Sequence, residues 1–167
     1  MSATKGEAAG FLQGVVNSRL IFTGVPSGSV EEVLSDLSHR LQSGGSVRDA
    51  VDLSRRLLDR ERLGCTGLGA GIAIPHCKLK ELDEIVLAVA SCPGGVDFRA
   101  PDGLPVTLIF LILSPAEAPA MHLQALARIS RMLKTPGVAD ALRRAVNPEE
   151  LFARIKEAES AIPAVRS

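Results

Sequence analysis

One run of side chains limits the fold more than any other: Val106-Thr107-Leu108-Ile109-Phe110-Leu111-Ile112-Leu113, entered from Pro105 and left at Ser114-Pro115. Its branched and aromatic residues, bounded by proline, predict the strongest central strand of the chain. It falls well short of the ~18–20 apolar residues of a membrane span, as does every other apolar run. A second run, Glu84-Ile85-Val86-Leu87-Ala88-Val89-Ala90-Ser91, lacks clean alternation and reads as a strand buried on both faces. Strands of that kind need a layer of helices on each side.

The helices announce themselves by their starts. Ser29 followed by Glu32 forms a capping box, and Val30, Val33, Leu34, Leu37 and Leu41 continue at helical spacing to about Gln42. Gly44-Gly45 stops that helix. Ser46 and Asp49 propose a second start, with a helix to about Arg60. After the central strand, broken at Ser114-Pro115, a helix is expected from about Ala120 to Lys134 with Leu123, Leu126, Ile129, Met132 and Leu133 as its apolar stripe. Thr135-Pro136 reads as a cap with proline at the first helical position, opening a short helix from Val138 to Ala145. Asn147-Pro148 with Glu150 opens the last, to about Glu159. Pro93-Gly94-Gly95 and Pro101-Asp102-Gly103 read as turns, with Val96-Asp97-Phe98 a short edge segment between them. Phe11 to Ile21 is mixed and takes no assignment. The expected architecture is α/β, one layered domain over residues 11–160, with loose tails at 1–10 and 161–167.

Composition removes several function classes. The 19 basic and 19 acidic residues cancel, which argues against a nucleic-acid binder driven by phosphate neutralisation. Trp and Tyr are absent, so stacking on bases or sugars rests on five Phe. The first ten residues carry no secretory pattern. Three cysteines without a Cys-x-x-Cys make a reducing cytoplasm the default, and the lack of a spanning apolar run makes direct membrane insertion unexpected.

Chemistry concentrates between Arg60 and Lys78. Gly64, Gly67, Gly69 and Gly71 allow close backbone approach; Gly71–Ile74 reads as a short strand, Pro75 ends it, and His76 stands just past the end. The glycines do not make a dinucleotide fingerprint, because Ile72 takes the place of the third glycine and the segment precedes a strand. No Gly-Lys-Ser/Thr ends a phosphate loop, and no Gly-x-Ser-x-Gly elbow occurs. His76 is the best candidate: an imidazole nitrogen can take and release a phosphoryl group, given donors for its oxygens. The Thr66 hydroxyl, the backbone of Gly67 and its neighbours, and a nearby cation would supply those donors. The plainer alternative is a histidine that only hydrogen-bonds at a strand end.

His122 opens the helix after the central strand. If neighbouring parallel strands end on the same side of the sheet, it meets His76; otherwise it packs its ring at a helix start. His39, between Leu37 and Leu41, reads as a surface or partly packed helix residue. Arg60 and Glu61 are either solvated last-turn charges or a phosphoryl clamp and a carboxylate that orients the loop. Lys78 is a second cation or plain surface charge. Zinc on Cys65, His76 and Cys77 is disfavoured, since the spacing is no familiar metal pattern and adjacent His76 and Cys77 on a strand point to opposite faces. Cys65 and Cys77 then read as small apolar fillers.

The segment from Arg60-Glu61 through Gly64-Cys65-Thr66-Gly67 to Ile74-Pro75-His76, together with Val96-Asp97-Phe98, Asp102-Gly103, Pro115 and His122-Leu123, resembles the mannitol/fructose-type enzyme IIA domains of the bacterial phosphoenolpyruvate-dependent phosphotransferase system. The likeness spans about residues 12–160. It implies a mixed β-sheet between helices, phosphorylation of His76 through Nε2, a second active-site histidine at His122 and the motif arginine at Arg60. It calls for neither metal nor cofactor; the residues themselves add Thr66 and Gly67 as expected phosphate contacts, with Glu61 and Cys65 as possible support. The donor would be a histidine phosphocarrier of the HPr or NPr kind. The acceptor would be an enzyme IIB cysteine in sugar-transporting members, or regulated target proteins in the free-standing nitrogen-related branch. The single-domain layout favours that regulatory branch; a free-standing sugar-uptake component and a contact-only binding module stay open. Cys65 departs from the usual Ser, Ala70 from the frequent Asn or His, and Cys77 from the common Gly or Ala.

Overall fold

In a computed structural model of the protein, residues 14–162 are described; the expected tail at 1–10 and most of the expected C-terminal tail lie outside them. The elements are β1 (Val16–Phe22), α1 (Val30–Ser43), α2 (Ala50–Leu63), β2 (Gly67–Gly69), β3 (Ile72–Ala73), β4 (His76–Leu79), β5 (Val86–Val96), β6 (Val106–Pro115), α3 (Pro119–Lys134), α4 (Val138–Arg143) and α5 (Pro148–Ser160). One mixed sheet runs in the order β1-β5-β6-β3-β2, with β4 also paired to β6. The pairs β1·β5, β3·β6 and β4·β6 are parallel, and β5·β6 and β2·β3 are antiparallel.

The central strands alternate between two cores. Ala88 and Ala90 of β5 and Ile109, Leu111 and Leu113 of β6 pack under α1 and α2 with Leu34, Leu37, Leu41, Leu53 and Leu57. Leu87 and Val89, with Leu108, Phe110 and Ile112, pack on the opposite face against Ile129 and Met132 of α3, Leu142 of α4, and Leu151 and Ile155 of α5. Helices therefore cover both faces, as the uninterrupted apolar runs require. Among the described residues, no helix is long and apolar enough to cross a membrane.

The structure departs from the sequence reading at several joints. The unassigned stretch holds all of β1 but its last residue, Phe22, and the partner of β1, β5, lies far along the chain. Pro93-Gly94-Gly95 is not a turn: β5 continues through it to Val96, and the register shift between Ser91 and Val96 makes it an irregular bulge. Ser114-Pro115 does not break β6, because Lys78 and Leu79 pair with it. Leu123 is exposed and leaves the α3 stripe, where His122, Ala125, Ile129, Met132 and Leu133 are buried instead. Thr135 ends α3, its hydroxyl donating to the Arg131 carbonyl; Gly137, at φ +82°, turns the chain into α4, so Pro136 lies outside that helix. The three side-chain caps stand where expected, on Ser29, Asp49 and Asn147.

The glycine segment folds into a hairpin, β2 to β3, turned by Ala70 and Gly71 at φ +56° and +78°. Two left-handed residues in succession are the requirement of a type I′ turn, which favours Asn-Gly. Gly71 has a second reason to be glycine: a Cβ there would lie 2.9 Å from Arg143 Nη2 and 3.3 Å from the Pro105 carbonyl. Ala70 carries the steric cost of its Cβ. Ala70→Asn is expected to stabilise the protein by about 1 kcal/mol, raising Tm by roughly 2–4 °C in a chain of this size. Unchanged or lower Tm would show that the turn carries no strain.

Candidate functional site

β3 and β4 are two parts of one run along β6, β3 covered by β2 and β4 at the sheet edge. Between them Pro75, without an N–H of its own, still accepts a hydrogen bond from Ile112 N–H at 2.9 Å, so the chain stays against the sheet through the break. His76 is therefore the first residue of β4, opposite Ile112, not a residue beyond the last strand. This corrects the expected strand end at Pro75. An edge position opens the ring to elements from both layers.

Three elements converge there. The last turn of α2 brings Arg60 from one layer: its Nε–H points to His76 Nε2 at 3.3 Å, and its Nη1 donates to the Gly64 carbonyl at 2.9 Å. From the other layer, the start of α3 brings His122, and the two imidazole centroids lie 5.1 Å apart with planes tilted by 54°. β4 supplies His76 itself. Its Nδ1 lies 2.8 Å from the Ile74 carbonyl. A carbonyl only accepts, so the proton sits on Nδ1 and Nε2 carries the lone pair, which accepts from Arg60. His76 is half-buried. That burial, and next the Arg60 charge, hold its pKa below the ordinary 6.5 against the opposing pull of the Ile74 bond. His122 is only 6% exposed. Burial, and the neighbouring His76, Lys78 and Arg60, push it down to about 4. Both rings are thus neutral at pH 7.

Glu61 acts on the loop. Its carboxylate accepts from Thr66 N–H at 2.9 Å and from the Thr66 hydroxyl at 2.6 Å. Both Thr66 donors are spent there, so the structure does not present Thr66 as a free donor to His76. The Gly67 N–H points to Cys65 Sγ at 3.2 Å. Cys65 is exposed, and its thiol donates to the Phe98 carbonyl at 3.1 Å. Glu61→Ala leaves the buried Thr66 without these acceptors and is expected to cost about 2 kcal/mol, read by urea unfolding. A loss below about 0.5 kcal/mol would mean that water replaces the carboxylate.

The remaining candidates separate. Cys77 faces the core under α1 and α2, opposite His76, and burial pushes its thiol up to about 12. Cys92 is buried. His39 is exposed on α1, with Nδ1 2.8 Å from the Ser35 carbonyl. Lys78 is exposed beside the site. Among the described residues, no group of three or more His, Cys, Asp or Glu could hold a metal. Sequence reasoning missed Ser114, whose Oγ lies 2.6 Å from His122 Nδ1. The available signal was a hydroxyl at the end of an otherwise apolar run. It also missed Asp102 and Arg143, which anchor the hairpin tip: Asp102 accepts from Ala70 N–H at 2.7 Å, and Arg143 donates to the Ala70 carbonyl and to Thr107 Oγ1.

A nucleophilic ring nitrogen, an adjacent guanidinium and a second neutral imidazole suit phosphoryl exchange. Comparison with known proteins agrees with that chemistry. Residues 15–158 match the family model of the phosphoenolpyruvate-dependent sugar phosphotransferase system, EIIA 2. A nitrogen regulatory protein of Pseudomonas aeruginosa is 41% identical over 128 residues, covering 77% of this chain and 83% of that protein. A fructose-specific EIIA component of Haloferax volcanii is 36% identical over 120 residues, covering 72% and 78%. The crystal structure of the nitrogen regulatory protein IIA-Ntr from Neisseria meningitidis superimposes with a TM-score of 0.79 at 29% identity, over 86% of this chain and 98% of that one. The match over nearly all described residues places the chain in the EIIA 2 family of the phosphoenolpyruvate-dependent sugar phosphotransferase system.

Proposed function

We infer that this protein is a phosphoryl carrier that accepts a phosphoryl group on His76 Nε2 from a histidine-phosphorylated carrier protein of the HPr or NPr kind. We further read it as a nitrogen-type regulatory IIA protein of the cytoplasm, with residues 11–160 as the working unit. The observation that carries the reading is the committed Nδ1 of His76, which leaves Nε2 as the nucleophile beside Arg60.

The exchange balances without a base. The donor's N–P bond breaks and its imidazole keeps the electron pair; the His76 Nε2 lone pair forms the new N–P bond. His76 keeps its Nδ1 proton, and the Ile74 carbonyl supports the positive charge that the ring gains. Arg60 and His122 face the phosphoryl oxygens, where donors aimed at developing charge lower the barrier. In the resting state Arg60 Nε–H occupies the nucleophile's lone pair, so the guanidinium must turn from nitrogen to phosphoryl oxygen as the donor arrives. The product carries new negative charge at an exposed sheet edge, which a partner protein can read by attraction or repulsion.

The test is intact-mass spectrometry after incubation with phosphoenolpyruvate, enzyme I and the histidine carrier of the same cell. One added phosphoryl group, labile in acid and stable in base, is expected. No mass gain with competent donors and folded protein would overturn the carrier reading. Similarity to a fructose-specific EIIA component favours a second role, delivery to a IIB cysteine for sugar uptake. Rapid discharge by a fructose-type IIB domain would select that role over the regulatory one.

A further inference from the structure

We propose that Ser114 is a positioning residue: its hydroxyl donates to His122 Nδ1 and thereby holds the His122 proton on Nε2, the nitrogen free to donate to the transferring phosphoryl group. The functional half of this inference rests on the carrier reading above; the tautomer itself does not.

The argument starts from a hydroxyl that cannot reach water. Ser114 is fully buried at the end of β6, and Oγ lies 2.6 Å from His122 Nδ1. Among the described residues that hydroxyl has no other hydrogen-bond partner. Two arrangements satisfy the distance. In one, Nδ1–H donates to Oγ, and the hydroxyl proton is left buried with no acceptor. In the other, O–H donates to an unprotonated Nδ1, and every polar atom of the pair is used. An orphaned buried donor is costly, so the second arrangement prevails. A neutral imidazole carries one ring proton, and with Nδ1 unprotonated it must be on Nε2.

The two histidines then hold opposite tautomers 5.1 Å apart. The Ile74 carbonyl forces the proton of His76 onto Nδ1 and frees Nε2 to attack. The Ser114 hydroxyl forces the proton of His122 onto Nε2, where it donates. One backbone acceptor and one side-chain donor thus sort two chemically identical rings into nucleophile and stabiliser. His122 stays neutral through this range, with its pKa at about 4, so the tautomer decides whether it can donate. With the proton on Nδ1, His122 would present a lone pair to the phosphoryl oxygens and repel them.

Long-range proton–nitrogen NMR of the free protein at pH 7 reads the tautomer with no phosphoryl donor present. His122 is expected to show an unprotonated Nδ1 and a protonated Nε2. In Ser114→Ala, a smaller side chain that should leave the fold intact, the His122 signals are expected to move toward a mixture. Phosphoryl uptake should then slow about tenfold, the loss expected for one hydrogen bond's worth of orientation. Ser114→Thr keeps a hydroxyl and should restore both readouts. In the His122→Gln background, where no tautomer exists, Ser114→Ala should bring no further slowing.

A proton on His122 Nδ1 in the parent protein overturns the proposal outright. So does a Ser114→Ala effect of equal size in the presence and absence of His122, which would mark Ser114 as merely structural. Failure of the parent protein to take phosphate from any donor would reject the carrier reading, and with it the role in transfer. The NMR result would still stand for the Ser114–His122 pair.

Discussion

His76→Ala is expected to abolish phosphoryl uptake completely while leaving the fold intact. The ring is half-buried at a sheet edge, and its loss frees the Ile74 carbonyl to water, so the stability cost should stay near 1 kcal/mol. His122 cannot take over as nucleophile, because its Nδ1 is engaged with Ser114. Intact-mass spectrometry with the full donor chain checks the outcome, and any phosphoryl group retained by the folded variant refutes the assignment. The parent protein adds a pH signature. Attack needs the neutral ring, and burial together with the Arg60 charge holds His76 below its ordinary 6.5. With donor phosphorylated beforehand, the uptake rate should fall on acidification with its midpoint below 6.5. A midpoint at or above 6.5 would mean that the ring is not shielded as described.

His122→Ala is expected to slow uptake about a hundredfold without abolishing it, since removing one charge-stabilising donor costs roughly 3 kcal/mol of barrier. An unchanged rate would reject its role. The same substitution alters acid stability. An unfolded His122 takes its proton near pH 6.5, whereas the folded one resists until about pH 4. Between those values the unfolded state binds the extra proton, so acidification weakens the parent protein, by up to about 3 kcal/mol at the lower limit. His122→Ala removes that dependence. At pH 7 the variant should be the less stable, because a cavity and the orphaned Ser114 hydroxyl remain. The gap should narrow as pH falls from 6.5 toward 4. Urea unfolding at pH 7 and pH 4.5 tests this, and parallel losses in the two proteins would contradict it.

Features set by a few neighbouring residues were legible in the sequence. The Ser29–Glu32 and Asn147–Glu150 devices signal helix starts through side-chain acceptors for free N–H groups, and the structure has both caps. Features set by distant partners were not. β1 gains its identity from pairing with β5, and the Pro93–Gly95 stretch stays in its strand because Val96 finds Val106 across the bulge. Spacing also could not choose which residue of α3 faces inward. Leu123 and His122 are neighbours, and only the contact with Ser114 shows why the polar one is buried. At the site, the candidate types were readable while their use was not: Thr66, a natural phosphate donor by composition, gives both its protons to Glu61.

The interruption between β3 and β4 has a consequence for association. An exposed sheet edge ordinarily offers free backbone groups to an incoming strand, an invitation to aggregate. At this edge the groups just before His76 are already taken. Pro75 has no N–H, Ile74 N–H donates to the Thr66 carbonyl at 3.0 Å, and the Ile74 carbonyl accepts from His76. Exposed Lys78 then places a charge on the strand beyond. Just ahead of His76 the edge is therefore closed to strand addition, and on the carrier reading this lets the ring stay open to a partner's side chain at the rim of a sheet while the neighbouring backbone invites no polymerisation.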